Sequence, residues 1–251
     1  MKLSNILFSQ GFGTRRECNG LVWNDDVSIH GVVQDDPDAD VPTDNLVLTV
    51  SGEAWPYHEK ALILLNKPAG YECSLKPKHW PGVHALLPWP LRRRGVQPIG
   101  RLDQDTTGVL LLTDDGQLVH KLTSPKHHVP KVYEVTTKYP VTPDQCAALL
   151  KGVVLNDDPE PVLADAAEVV GDPDACHLRL TLVQGKYHQV KRMVAAVGNR
   201  CEGLHRSAFG AVTVPPDLAP GKWCWLRGGA DVFGTPCALN DPLRSSWRSR
   251  C

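Results

Sequence analysis

A chain of 251 residues, 42% hydrophobic and 22% charged with a formal net charge of −1, has the balance of an ordinary globular protein. It is long enough to bury a substantial core, as one large domain or two unequal ones. No apolar run approaches membrane-spanning length and Met1-Lys2-Leu3-Ser4 lacks the layout of a signal peptide, so no membrane partner and a cytoplasmic setting are expected.

Leu3, Ile6, Leu7 and Phe8 mark one face of a short helix that Gly11-Phe12-Gly13 stops. Thr14-Arg15-Arg16-Glu17 has the form of a capping box, and the helix it opens runs to about Trp23. Val27 to Val33 alternates like a strand pair bent at Gly31, and Leu46 to Val50 is another strand. Residues 1–50 thus form a small unit, and the polar stretch 51–60, with Pro56, reads as a linker.

The second unit, 61–228, opens with the strand Ala61 to Asn66 and breaks at Lys67-Pro68-Ala69-Gly70. Pro and Trp crowd residues 80–90 into an irregular loop, and Leu91-Arg92-Arg93-Arg94 reads as a solvated basic loop. Val109 to Thr113 is a buried strand, Asp115-Gly116 a turn and Gln117 to Thr123 a short helix. Strands follow at Val132 to Thr137 and Cys176 to Val183, with helices from Thr142 to Leu150 and from Val190 to Val197. Residues 229–251, rich in Gly, Pro, Ser and Arg, read as a flexible tail. Helices and strands interleave without a regular βαβ rhythm, so the fold class is α+β.

Charge is divided unevenly. Up to Lys60 four basic residues stand against ten acidic ones, while the remainder carries 23 basic and 18 acidic residues, a balance that permits a polyanionic partner. Eight cysteines are scattered singly without a CxxC pair, which argues for free thiols, buried at Cys146 and Cys224. Cys201 and His205 have a metal-ligand spacing, but no second pair completes a zinc set, and no metal is expected.

Four stretches place ionisable groups where the chain bends: Asn66 to Gly70, Gly100 to Gly116, Lys131-Val132-Tyr133, and Gly185 to Met193. Asp103 stands just before the apolar run Val109 to Leu112, where an ionised carboxylate is costly unless something pairs with it. A helix starting near Tyr187 would present His188, Lys191 and Arg192 together near its N-terminal end, as partners for such an acid. Each group also has a structural reading. Asp103 can cap a turn, Asp114-Asp115-Gly116 can make a hairpin turn, and His127-His128 can be a solvated pair. Lys186 and Arg192 can be surface cations, and Tyr133 a core aromatic. A glycosidase would need a second carboxylate across the scissile bond, and a metal phosphohydrolase a denser Asp/His cluster. Neither a P-loop nor a G-x-G-x-x-G fingerprint is present, so no nucleotide cofactor is expected.

In this order the stretches resemble the bacterial ribosomal small-subunit pseudouridine synthases, the RsuA-like family. The resemblance rests on Leu65 to Tyr71, Gly100-Arg101-Leu102-Asp103 with Thr106-Thr107-Gly108, and Leu112 to Gly116. Thr123-Ser124-Pro125, Lys131-Val132-Tyr133, Gly185 to Met193 and Leu204-His205-Arg206 complete it. It implies a pseudouridine synthase fold, a mixed and largely antiparallel sheet flanked by helices, behind a small N-terminal S4-like RNA-binding domain. It implies isomerisation of one uridine in small-subunit (16S) ribosomal RNA, with no cofactor and no metal, by a monomer acting on a precursor particle. Asp103 matches the catalytic aspartate that acts at the sugar, Tyr133 the tyrosine that stacks on the base, and Lys191 the basic partner of the aspartate. The RNA contacts implied are Arg101, Lys67, Arg15, Arg16, Lys186, His188, Gln189 and Arg192. Asp105 and Asp114 are left as turn residues. Where the family's front unit places a glycine and an arginine before its first strand, this chain has Asn24-Asp25-Asp26. The front unit is therefore expected to guide docking on a protein-bound precursor and to bind naked RNA weakly. The other readings are a synthase acting on 23S ribosomal RNA or transfer RNA, and a catalytically silent RNA-binding assembly protein.

Overall fold

The computed structural model describes residues 1–155, 158–172 and 175–234. Helix α1 (Leu3–Gln10) ends where Gly11 takes φ +89°, a conformation that costs glycine nothing. Helix α2 (Arg15–Trp23) starts on the complete Thr14/Glu17 capping box. Strands β1 (Val27–Ile29) and β2 (Val32–Val33) form a hairpin turning at His30 and Gly31, both at positive φ. With β3 (Val47–Val50) and β4 (Glu53–Pro56) they make a four-stranded sheet in the order β2-β1-β3-β4. Leu3, Ile6, Leu7, Cys18 and Val22 of the helices close over Val27, Leu48 and Val50.

Residues 51–60 are therefore not a linker. Ser51 and Gly52 turn the chain at positive φ, β4 pairs with β3, and Trp55 is fully buried. The Trp55 ring meets Phe12 and Trp225 edge-on at 5.2 and 5.3 Å, fastening the front unit to the second one. Pro56 is compatible with this strand because it sits at the strand's end on a sheet edge.

The second unit, whose main sheet has nine strands and does not include the β9–β10 pair, comprises β5 (Leu62–Lys67), helix α3 (Trp89–Arg94), β6 (Gln97–Pro98), β7 (Thr107–Thr113), helix α4 (Gly116–Thr123) and β8 (Lys131–Thr137). There follow helix α5 (Pro143–Lys151), the hairpin β9 (Val153–Leu155) and β10 (Asp158–Val162), then β11 (Ala166–Val169) and β12 (His177–Leu182). Helix α6 (Gln189–Ala196), β13 (Cys201–Phe209), β14 (Val212–Thr213), β15 (Trp223–Trp225) and helix α7 (Ala230–Phe233) complete it. The strand order is β11-β12-β8-β13-β7-β5-β15, with β14 beside β13 and β6 beside β7. Neighbours are antiparallel except β13 and β7, which run parallel. This is the mixed, largely antiparallel α+β arrangement expected.

Strands β5 and β7 are apolar without alternation because both faces are covered. Leu62, Leu64, Val109 and Leu111 face one core, and Ile63, Leu65, Leu110 and Leu112 the other. A further core joins Val135, Leu178, Leu180 and Leu182 to Leu149 of α5 and to Val190, Met193 and Val194 of α6.

Two loop assignments are corrected. Residues 80–94 hold a 3-10 turn at Val83–Leu86 and the helix α3, and Arg94 is buried rather than solvated. Its guanidinium grips Asp114 at 2.7 Å, Gln10 at 2.8 Å and the Glu59 carbonyl at 3.1 Å, so Asp114 is an ion-pair partner and not only a turn residue. The start of the supposed tail is docked, for Val232 is buried and its carbonyl accepts from the Ala211 amide at 2.9 Å. The rest of that tail, 235–251, lies outside the described residues. Cys146 and Cys224 are buried, and among the described residues no three His, Cys, Asp or Glu side chains cluster as metal ligands.

Candidate active site

The segment carrying Asp103 enters β7 at Gly108, beside Arg206 of the parallel strand β13. Gly108 has φ +101° and a Cβ there would collide with the Arg206 carbonyl, so the close approach of the two strands requires glycine. Lys67, last residue of β5, is 0% exposed and reaches under this segment. Its ammonium donates to the carbonyls of Pro68, Gln104 and Thr106 at 3.1, 3.2 and 2.8 Å. Burial drives its pKa below the ordinary lysine value, against the opposing pull of the Asp105 and Asp103 charges. Lys67 therefore ties the Asp103 loop together from inside and is not an RNA contact.

Asp103 is held from α6. Lys191 Nζ lies 3.1 Å from one carboxylate oxygen and His188 Nε2 3.2 Å from the other. Lys191 also bridges both oxygens of Asp105, at 2.7 and 2.9 Å. Asp105 is thus both a turn residue and a partner of the lysine: the turn closed by the Thr106 amide on the Asp103 carbonyl, at 3.2 Å, brings both carboxylates to one ammonium. Burial works to raise the Asp105 carboxyl, but the bonded and charged Lys191 outweighs it and holds the group below the usual carboxylate range. The same cluster, acting against burial, raises the Lys191 ammonium.

His188 reaches Asp103 from the N-cap position of α6 at φ +47°, its ring stacked on Tyr187 at 3.8 Å. Gln189 is buried at the cavity wall. It accepts from the Lys186 amide at 2.7 Å and donates toward Met193 sulfur at 3.8 Å, closing the first turn of α6. Arg192 does not join the Asp103 cluster, since its guanidinium donates to the Tyr187 carbonyl at 3.1 Å. Thr107 and His205 meet across β7 and β13 at 2.8 Å, which, with Cys201 turned to the Gly203 carbonyl, leaves no metal pair there.

Asp103, Tyr133, His188 and Lys191 share one cavity of about 810 Å³, with Lys131 and Arg206 beside Tyr133. Tyr133 is half-buried on β8, opposite Arg206 in register. Arg101 is exposed on the cavity wall and Lys186 is half-buried there. Arg15 and Arg16 are exposed on α2 of the front unit and are absent from the cavity's described lining. The loop after Glu72 also lines the cavity, and the Glu72 carboxylate accepts from the amides of Lys78, His79 and Trp80 at 3.0–3.1 Å. Sequence reasoning missed Asp105, Lys131 and Arg206 as parts of this site. A charged residue in phase with inward-facing neighbours, as Lys131 is with Tyr133, was the available signal.

Residues 61–196 match the family described as RNA pseudouridylate synthase. An RNA pseudouridine synthase of Bacillus subtilis, designated uncharacterized, is 39% identical over 89% of this chain and 93% of its own length. The ribosomal small subunit pseudouridine synthase A of Salmonella typhimurium is 45% identical over 66% of this chain and 70% of its own. That of Pasteurella multocida is 36% identical over 89% of this chain and 94% of its own. A crystal structure of a pseudouridylate synthase superposes with a TM-score of 0.62 at 34% identity, covering 90% of this chain and 96% of the other. Sequence, fold and relatives agree, and the chain belongs to the RNA pseudouridylate synthase family, isomerases that act on uridines of RNA.

Proposed function

We propose that this chain converts one uridine of 16S ribosomal RNA to pseudouridine during small-subunit biogenesis, with Asp103 as the group acting at the sugar. The observation that carries the chemistry is a carboxylate clamped between Lys191 and His188 in a cleft shared with Tyr133. Relatives named for the small ribosomal subunit, at 36–45% identity, support the choice of RNA. The target leaves its stack and enters the cleft, at a cost of about a few kcal/mol that phosphate contacts offset. Tyr133 stacks on the base, and Lys191, paired with Asp103 at 3.1 Å, aims that carboxylate at the ribose, which it either attacks at C1′ or relieves of the 2′ proton. Arg101 and Lys186 meet phosphates at the cleft. The S4-like front unit, with ten acids against four basic residues up to Lys60, guides docking on the protein-bound precursor through Arg15 and Arg16 and binds naked RNA weakly.

Asp103→Asn is expected to abolish tritium release from C5-labelled uridine in a 16S transcript while RNA binding persists. Release at the wild-type rate would refute the assignment. Pseudouridine mapping in cells with and without the gene is expected to show a single lost site in small-subunit RNA. A site lost from 23S or transfer RNA would move the target, and an unchanged map would favour the silent binding protein.

A further inference from the structure

Two buried cations stand beside Tyr133 with no carboxylate bonded to either among the described residues. Lys131 precedes Tyr133 by two residues on β8, so strand alternation puts both side chains on one face. Arg206 stands opposite Tyr133 in the register of β13, and Phe209 opposite Lys131. Both cations lie against the Phe209 ring, at 5.3 and 5.2 Å from its centroid. Among the described residues each makes one side-chain hydrogen bond: Lys131 Nζ to the Val183 carbonyl at 3.2 Å, and Arg206 Nε to that of Val109 at 2.8 Å. Arg206 Nη2 has no partner among the described residues, and an ammonium has three donors, of which Lys131 places one. Burial first, and then the Arg206 charge, push the Lys131 ammonium down to about 8, against the weaker pull of Asp165 before β11.

Two like charges buried side by side destabilise a fold, and an apolar side chain at position 131 would serve packing better. The isomerisation gives the pair a chemical use. When the N1–C1′ bond breaks, N1 keeps the electron pair and the detached ring carries negative charge spread over N1, O2 and O4. The ring turns, C5 forms its bond to C1′, the C5 proton leaves to a base, and N1 gains a proton, so atoms and charge balance. Between the two bond events the ring is most anionic, and fixed cations in a dry pocket then act most strongly.

We propose that Lys131 and Arg206 form the anion site for the detached uracil ring, holding its carbonyl oxygens while Tyr133 supports its face. This rests on the cleft being the uridine-isomerising site. The test is tritium release from a C5-labelled 16S transcript, naked and in a small-subunit precursor particle, by wild type, Asp103→Asn, Lys131→Met and Lys131→Arg. Lys131→Met is expected to lower kcat about a hundredfold with KM for RNA unchanged, as loss of one charge-stabilising donor does. Its thermal midpoint is expected to lie at or above that of wild type, because a buried charge has gone. Wild-type kcat is expected to fall as pH rises through about 8, where Lys131 loses its proton, and Lys131→Arg to carry activity past that limb. If the larger side chain unfolds the protein, Arg206→Lys serves instead, with a lowered kcat at unchanged KM. An active wild type with Lys131→Met within about threefold of its kcat overturns the anion site and leaves the isomerase reading standing. A wild type inactive on both substrates overturns both together.

Discussion

Lys67 shows how one residue's role can reverse between chain and fold. In sequence it is a cation at a bend before Pro68, which fits an RNA contact. In space it is sealed beneath the Asp103 loop, and three carbonyls take its three protons. Lys67→Met would leave those carbonyls without a donor, and the expected loss is about 2–4 kcal/mol in urea unfolding. Tritium release should fall as well, since the loop holding Asp103 loosens. Unchanged stability would mean that water can replace the ammonium in a site with no exposure. The need of Asp103 for a cation was legible from the apolar run that follows it, and the family resemblance named Lys191, on a helix that begins close to where the sequence placed it. Asp105 was not, since nothing local says that one lysine will bridge both acids.

Among the elements, the parallel contact of β7 and β13 does most to assemble the site. It sets Gly108, just after the turn that carries Asp103, opposite Arg206, which in turn stands opposite Tyr133 one strand further. The contact depends on Gly108, whose positive φ and missing Cβ let the Arg206 carbonyl approach. Gly108→Ala combines a strained backbone with a backbone collision, and the expected cost is about 2 kcal/mol or more. Loss of activity should exceed the loss of folded protein, which thermal melting and kcat measured on the soluble fraction would separate. A variant with wild-type kcat would show that the strands can part without displacing Asp103. Short helices with clear caps, α1, α2 and α5, were readable from their stop and start residues. The hidden helix α3 and strand β4 were masked by Pro and Trp, which usually mark loops.

Across the whole molecule, the front unit is joined to the catalytic sheet by a buried seam. Trp55 packs against Trp225, and Arg94 binds Gln10, Asp114 and the Glu59 carbonyl at once. Wild type is therefore expected to unfold in a single transition. Arg94→Ala leaves the partly buried Asp114 without its cation, which costs about 3–5 kcal/mol when a buried pair is broken. Calorimetry of this variant should show the transition lowered and split, the front unit melting first. A single unshifted transition would place the coupling elsewhere, in the Trp55 contacts alone.

The sequence by itself determined the α+β class, the capped helices of the front unit, the buried strands β5 and β7, and the family, because caps, apolar runs and ordered motifs are local or linear signals. Only the tertiary structure decided which charged groups face the cavity and which brace it. Lys67 and Arg94 were drawn inside as struts, while Lys131, Arg206 and Asp105 came to the site unannounced. The physical reason is that a charge's role depends on what desolvates it and what stands within hydrogen-bond reach. Those neighbours come from strands far apart in the chain, as Tyr133 and Arg206 are.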